Sequence, residues 1–571
     1  MASGEQQALD NVDLQAVILD CSSLGESPDQ LGHRLNRLRP ELNLYGVVDP
    51  RLDQPVGSIL DELFDRDDRN FNRVFRVTQA FLLKRSSTPF ADTLRQYLYS
   101  AKDSWHTPGH SSGDSFRNSP WVSDFYQRMR EHVFNADLSV SVQVLDSLQE
   151  PQSVIQESQQ LAAQTFGATH TYVVTKGTST ANKVIVQHLL GGGGKILLDR
   201  GSHKSMHHAV ILFGLEPVYL NSSIQPQYGL YGPVCKANIF AAIDDHPDAG
   251  LLVLTSCTYD GLYYDLSPII EKSHAAGIKV LIDEAWYAHG RFHPSLRPNA
   301  LDSGADYVTH STHKMLSAFS QASMIHVNDP DFDEHRFREN LSPQYAMIAS
   351  LDVVRKQMSM EGYKCLCRCL DMIGRLRTNI NNTGTFRVLE LIELLPAALQ
   401  NDGIRLDPTK LTIDVSKSGM SGKEVEVALF EQSSTQVEKT TQNTVTVLVL
   451  VLVLVTIGAT ESKALRLIQA IQHLARKSKN RVAGKTIAIT PLPPFTEMRQ
   501  LPHSAYFGAT VDLPLTGDNH GINPDIIGSI SADEIVPYPP GIPLLVPGQL
   551  ISRPLLDYLI KVIHSQTENE I

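Results

Sequence analysis

Residues 311–327 read STHKMLSAFSQASMIHV. A single lysine, Lys314, follows Ser-Thr-His and opens a run of small, largely hydroxylated residues that ends in the apolar, strand-like MIHV. The stretch holds no Asp or Glu to pair with it. On a polar loop a lysine is ordinarily a solvated surface charge. Held in a desolvated site it is instead an amine nucleophile that forms Schiff bases with carbonyl compounds. What the chain places beside Lys314 decides between the two, and the fold with it.

Working outward, strand-like apolar runs recur at TYVVT, KILLD, PVYLN, GLLVLTS, KVLIDEA and YVTHST, separated by helix-length segments. Strands that are apolar throughout and alternate with helices argue for an α/β fold with a mostly parallel sheet covered by helices on both faces. In such sheets the loops at the C-terminal strand ends carry the ligand. This pattern spans residues 101–385, the expected major domain. Residues 1–100 alternate short apolar runs (AVILD, LYGVVD, AFLLK) with polar helical stretches, a small α/β module. Residues 386–571 change character and read as a smaller α+β domain. Within it, Val and Leu alternate over 447–455, so both faces are apolar. The run is shorter than the roughly 20 residues a membrane-spanning helix needs, and a buried or edge strand is expected.

The totals agree with this reading. A chain of 571 residues exceeds what one core supports and implies two to four domains. Hydrophobic residues at 42% and charged residues at 20% describe a globular protein. With 50 basic and 62 acidic residues the formal net charge is −12, which argues against nucleic-acid and anionic-membrane partners. The start MASGEQQALD lacks the layout of a signal peptide. Six cysteines imply no disulfide framework, as expected of a cytoplasmic protein. Cys365, Cys367 and Cys369 lack the C-x2-C spacing of zinc sites and are expected on a helix, so no metal site is expected.

Four polar clusters fall at expected strand ends. TKGTSTANK (175–183) follows TYVVT and precedes a helical run, which puts Gly177, Thr178, Ser179 and Thr180 at a helix N-terminus suited to a phosphate. GGGGK (191–195) is not a phosphate loop, since Lys195 runs straight into a strand. DRGSHKSMHH (199–208) places His203 after KILLD. KVLIDEAWYAH (279–289) places Asp283 at the end of a strongly apolar strand, followed by Ala285 and Trp286. Lys314 follows YVTHST. A phosphate cradle, a carboxylate for a ring nitrogen, an aromatic ring to stack and an amine to form an imine are together the protein's side of pyridoxal phosphate chemistry.

The chain resembles the bacterial ornithine/lysine/arginine decarboxylase family of fold-type I pyridoxal-phosphate enzymes. The motifs carrying the resemblance are HTPGH (106–110), TKGTSTANK, DRGSHKS, TSCTYDGLYYD, IDEAW, STHKMLSAFSQASMIHV, VEKTTQNTVTVL and ISADEIVPYPPGIPLLVPGQ, spread over roughly 100–555. The resemblance implies a seven-stranded sheet of the fold-type I kind. It makes Lys314 the Schiff-base lysine, Asp283 the partner of the pyridine nitrogen and His203 the ring stacked on the cofactor, with Ala285 against the opposite face. Ser179, Thr180, Ser311 and His313 would hold the phosphate, and Trp286 and Glu438 would lie near the substrate. It also implies a homodimer with a contribution from the partner near Ser342, a wing-like role for residues 1–100, and assembly in some members into larger homo-oligomers. Leu341 departs from the family pattern, standing where a hydroxyl residue often serves the partner's phosphate site. The Val/Leu run departs too, being longer than the family's strand.

The expected activity is α-decarboxylation of a basic L-amino acid (lysine, ornithine or arginine), with Lys314 or His313 returning a proton to Cα. An aminotransferase or β-lyase would use the same cofactor but grip the α-carboxylate with an arginine, and no arginine motif offers itself in the C-terminal part. A non-catalytic decarboxylase-like regulator is the third reading; against it, every expected catalytic position is filled.

Overall fold

The computed structural model describes residues 10–565 except 25–26, 50, 52–58, 69, 101, 140–141, 335–336, 338–342, 441–449, 479–491, 518–520 and 538–540. Leu341, Ser342 and residues 447–449 of the Val/Leu run lie outside the described residues. The strands that organise the chain are β1 (Ala16–Asp20), β2 (Asn43–Val48), β3 (Glu62–Asp65), β4 (His170–Val174), β5 (Lys195–Asp199), β6 (Glu216–Leu220), β7 (Leu251–Thr255), β8 (Lys279–Asp283), β9 (Tyr307–His310) and β10 (Ser323–Val327), followed by β11 (Arg387–Val388), β12 (Lys410–Asp414), β13 (Lys439–Thr440) and β14 (Leu450–Leu454). The helices used below are α1 (Phe71–Ser86), α2 (Pro89–Tyr99), α3 (Thr178–Leu190), α4 (Lys204–Phe213), α5 (Tyr345–Asn381), α6 (Gly422–Ser433) and α7 (Glu461–Ser478).

The chain forms two compact units: Met1–Gly177 with Ala288–Asp302 and Ser311–Arg368, and Thr178–Tyr287 with Ser303–His310 and Cys369–Ile571. The large sheet has seven strands. Five of them run in the order β9-β8-β7-β5-β6 in the second unit, with β8 parallel to β9 and β7, and β5 parallel to β7 and β6. Parallel neighbours need a crossover, and α4 supplies the one from β5 to β6. Leu251 to Leu254 and Val280 to Ile282 are all fully buried, as a sheet covered on both faces requires. The other two strands, β4 and β10, lie in the first unit and pair antiparallel with each other.

A four-stranded sheet of order β11-β12-β14-β13 occupies the C-terminal part of the second unit. The described end of the Val/Leu run is β14, hydrogen-bonded antiparallel to β12 on one side and β13 on the other. Leu452 is 1% exposed. It is an interior strand, not an edge, which settles the open choice and leaves its backbone groups no unpaired row to expose. α6 opens with a capping box, in which Ser421 and Glu424 each take the other's backbone N–H, and α7 packs with it. Cys365, Cys367 and Cys369 all lie on the 37-residue α5.

In the first unit, β1, β2 and β3 make a three-stranded parallel sheet. AVILD and LYGVVD form β1 and β2, whereas AFLLK is helical, inside α1. A buried ion pair stitches α1 to α2. Asp352 Oδ2 accepts from the backbone N–H groups of Phe90 (3.0 Å) and Ala91 (3.2 Å) in the first turn of α2. Arg355 donates to the carbonyls of Arg85 (2.6 Å) and Ser87 at the end of α1, and to Asp352 (3.2 Å). Helix termini leave such groups unpaired, and here one i,i+3 pair on α5 serves both ends. Breaking a buried pair by removing one partner costs about 3–5 kcal/mol. Asp352→Ala is therefore expected to lower the melting temperature by roughly 5–15 °C, with Asp352→Asn, which keeps an acceptor, falling between. Differential scanning calorimetry checks this, and equal melting temperatures for the parent and Asp352→Ala would contradict it.

Candidate functional site

The clusters singled out in the sequence all sit at C-terminal strand ends. Gly177 adopts φ 77°, a conformation L side chains rarely take, and turns the chain from β4 into α3. Thr178, Ser179 and Thr180 then form the first turn of α3: Thr178 is buried, Ser179 exposed and Thr180 half-buried. Backbone N–H groups of such a turn are left for an acceptor.

Asp283 ends β8 and is 4% exposed. Its Oδ1 accepts from the Ala285 N–H at 2.9 Å and its Oδ2 from Asn182 Nδ2 at 3.0 Å. A buried carboxylate must be held by donors, and these come from two elements, the turn after β8 and helix α3. Ala285 is 8% exposed.

His203 caps the N-terminus of α4, its ring accepting from Ser205 N. The turn that delivers it is set by Asp199 at the end of β5, whose Oδ1 takes the Gly201 N–H at 2.8 Å and the Ser222 hydroxyl at 2.9 Å. Burial pushes the Asp199 carboxyl up from 3.8 to about 6.

Trp286 and Glu438 are brought together by a residue to which the sequence reading gave no role. The Tyr259 ring meets Trp286 edge-on at 4.4 Å between centroids, and the Tyr259 hydroxyl donates to Glu438 Oε1 at 2.5 Å. Beneath them, the buried Lys410 donates to the Trp286 carbonyl at 3.0 Å and pairs with the buried Asp407. Burial also pushes the Cys257 thiol up to about 12, so that it is no nucleophile at neutral pH.

Apart from Gly177, which ends a segment of the first unit, these residues belong to the second unit; Ser311, His313 and Lys314 belong to the first. Ser311 follows directly on β9, and a single helical turn, Thr312–Met315, carries His313 and Lys314. Ser311 is buried, and Lys314 is half-buried. His313 Nδ1 donates to the Ala322 carbonyl at 3.1 Å. Burial lowers the His313 imidazole below its ordinary value; the Ala322 bond opposes this and the Lys314 charge adds to it.

Besides Tyr259, three residues of consequence escaped the sequence reading. Asn182 stands among the buried Ala181, Val184 and Ile185 of α3, and an amide inside an apolar helical stripe was the available signal. Glu284 and His310, each 1% exposed, pair at 3.1 Å between the ends of β8 and β9. Several buried hydroxyls at strand ends make no hydrogen bond within the described protein: Ser202 after β5, Thr255 and Ser256 at the end of β7, and Thr312 after β9. Thr255 is the register partner of Asp283.

The Orn/Lys/Arg decarboxylase major-domain model matches residues 88–463, and the corresponding C-terminal-domain model matches 522–569. An arginine decarboxylase of Bacillus anthracis is 31% identical over 84% of the chain and 94% of its own length. The lysine decarboxylase LdcA of Pseudomonas aeruginosa is 32% identical over 82% of the chain and 75% of its own. The solved structure of lysine decarboxylase A from Pseudomonas aeruginosa superposes with a TM-score of 0.70 at 27% identity, covering 98% of this chain and 89% of that one. No helix among the described residues is long and apolar enough to cross a membrane.

Asp199 offers a direct test of the strand-end electrostatics. Its folded-state value lies above that of the unfolded chain, so the neutral carboxyl stabilises the fold fully below pH 3.8, and this contribution is lost as pH rises through about 6. Asp199→Asn, neutral at every pH, is expected to gain on the parent between pH 4 and 6. Above pH 7 the margin should hold steady, on the order of 3 kcal/mol. Melting temperature against pH reads it; a margin independent of pH contradicts the burial account.

Proposed function

The chain belongs to the Orn/Lys/Arg decarboxylase family of pyridoxal-phosphate-dependent amino-acid decarboxylases, and we propose that it removes the α-carboxylate of a basic L-amino acid as carbon dioxide, leaving the corresponding amine. The observation that carries this reading is the buried Asp283 carboxylate, held by two donors at the end of β8. The unsatisfied hydroxyls of Ser202, Thr255, Ser256 and Thr312 support it, because buried polar atoms without partners are costly and suit a polar guest.

In this reading Lys314 would hold pyridoxal phosphate through its amine, Asp283 would be the partner of the ring nitrogen, and His203 and Ala285 would flank the ring. Ser179, Thr180, Ser311 and His313 hold the phosphate. When bound, the cofactor supplies an electron-withdrawing ring that accepts the electron pair of the breaking Cα–carboxylate bond. As the partner of the ring nitrogen, Asp283 has a donor on each carboxyl oxygen. Trp286 and Glu438, joined through Tyr259, meet the substrate side chain, and the Glu438 carboxylate suits a cationic end group.

The proton returned to Cα comes from Lys314. His313 is held below its ordinary value, so it is largely neutral at pH 7 and a poor acid there. The reading includes a homodimer or higher homo-oligomer; Trp105, Trp121, Phe125, Met129 and Val133 are large apolar side chains exposed on the single chain, of the kind that interfaces cover.

The test incubates the holoenzyme with L-lysine, L-ornithine and L-arginine and measures carbon dioxide, amine and keto acid. Amine and carbon dioxide in equal amounts, without keto acid, are expected from at least one; keto acid instead would point to transamination. Lys314→Ala is expected to lose the visible absorbance of the bound cofactor and at least ~10³-fold in kcat/KM, whereas His313→Gln should lose no more than ~10-fold in kcat. The opposite ranking would make His313 the proton donor.

A further inference from the structure

We propose that Asn182 is a positioning residue that couples the Asp283 carboxylate to the His203 imidazole, fixing the orientation of the first and the tautomer of the second. The inference rests on the reading of Asp283 and His203 as the groups that face the cofactor ring.

Asn182 is 1% exposed, and its side-chain amide is engaged on every side. Nδ2 donates to Asp283 Oδ2 at 3.0 Å and to Ser205 Oγ at 3.1 Å; Oδ1 accepts from Thr309 Oγ1 at 2.9 Å. These contacts use both amide N–H groups and give the carbonyl a donor. The orientation is not interchangeable: turned over, the amide would set its oxygen against the carboxylate oxygen with no proton between them. The anion therefore locks the amide, and the amide locks the anion. With the Ala285 N–H on Oδ1, each Asp283 oxygen has its own donor and the plane of the carboxylate is set.

The second Nδ2 proton reaches the histidine. It occupies a lone pair of Ser205 Oγ, so the Ser205 hydroxyl proton is turned toward His203 Nδ1, 3.0 Å away. The Ser205 backbone N–H, which can only donate, also points at Nδ1 from 3.3 Å. Nδ1 is consequently the acceptor, and the ring proton sits on Nε2. A neutral imidazole of this tautomer can lie on a cationic ring without like-charge repulsion. One buried amide thus serves a carboxylate directed at the ring nitrogen and a ring directed at its face.

The test is a pH titration of the visible absorbance of bound pyridoxal phosphate, with cofactor affinity, in the parent, Asn182→Ala, Ser205→Ala and Asp283→Asn. Asn182→Ala is expected to move the titration midpoint by roughly one pH unit and to weaken the cofactor roughly 10–100-fold. Ser205→Ala, which cuts only the histidine branch, should move the midpoint less. An unchanged midpoint in Asn182→Ala, alongside a shifted one in Asp283→Asn, overturns the proposal and leaves the reading of Asp283 standing. An unchanged midpoint in Asp283→Asn overturns that reading, and the proposal falls with it. Should Asn182→Ala fail to fold, Thr309→Val removes only the donor to the amide oxygen and is expected to shift the midpoint in the same direction; no shift there overturns the proposal. A purely structural amide would change the melting temperature and leave the spectrum of the folded fraction as it was.

Discussion

A carboxyl group buried at the end of a central strand constrains everything around it. Asp283 lies where β8 stops, with fully buried apolar residues behind it, and an ion there is tolerated only with donors at hand. Neither donor is a cation: one is a backbone N–H and the other a side-chain amide. A lysine or arginine in that place would have neutralised the carboxylate and spent it as a structural ion pair. Neutral donors satisfy the carboxyl oxygens without a countercharge, which is what the proposed role beside a ring nitrogen requires. That distinguishes Asp283 from Asp352, whose charge is taken up by Arg355 and two helix ends.

The same separation runs through the rest of the second unit. Lys410 is paired with Asp407 and committed to the Trp286 carbonyl, so it fixes the backbone at Trp286. Glu284 and His310 answer one another between neighbouring strand ends. Glu438, by contrast, meets a phenol hydroxyl, a neutral donor once more. Acidic groups paired with charged partners, such as Asp352 and Asp407, hold elements together; Asp283 and Glu438 meet neutral donors instead.

The strands and their ends were readable because apolar runs bounded by polar clusters are local facts. TYVVT, KILLD, GLLVLTS, KVLID and YVTH each became a strand, and each polar cluster fell just beyond one. The Asn182 network was not readable, because its partners stand 101 and 127 residues away in the chain and only the sheet order brings β8 and β9 beneath α3. Tyr259 was missed for the same reason: it lies 179 residues from Glu438, and a tyrosine in a turn carries no local mark of what it touches. The Val/Leu run was ambiguous because its alternation is apolar on both faces. Which neighbours it takes depends on β12 and β13, and the run itself says nothing about them.

The unsatisfied hydroxyls show what this arrangement costs. Ser202, Thr255 and Ser256 end strands whose other residues are packed at close to zero exposure. Alanine at those positions would bury less polar surface, and each orphaned hydroxyl forgoes about 1–3 kcal/mol. A fold optimised for its own stability would not gather several of them beside one another's strand ends. In the proposed reading a polar guest supplies partners for them, and a guest that binds the folded state alone stabilises it by mass action.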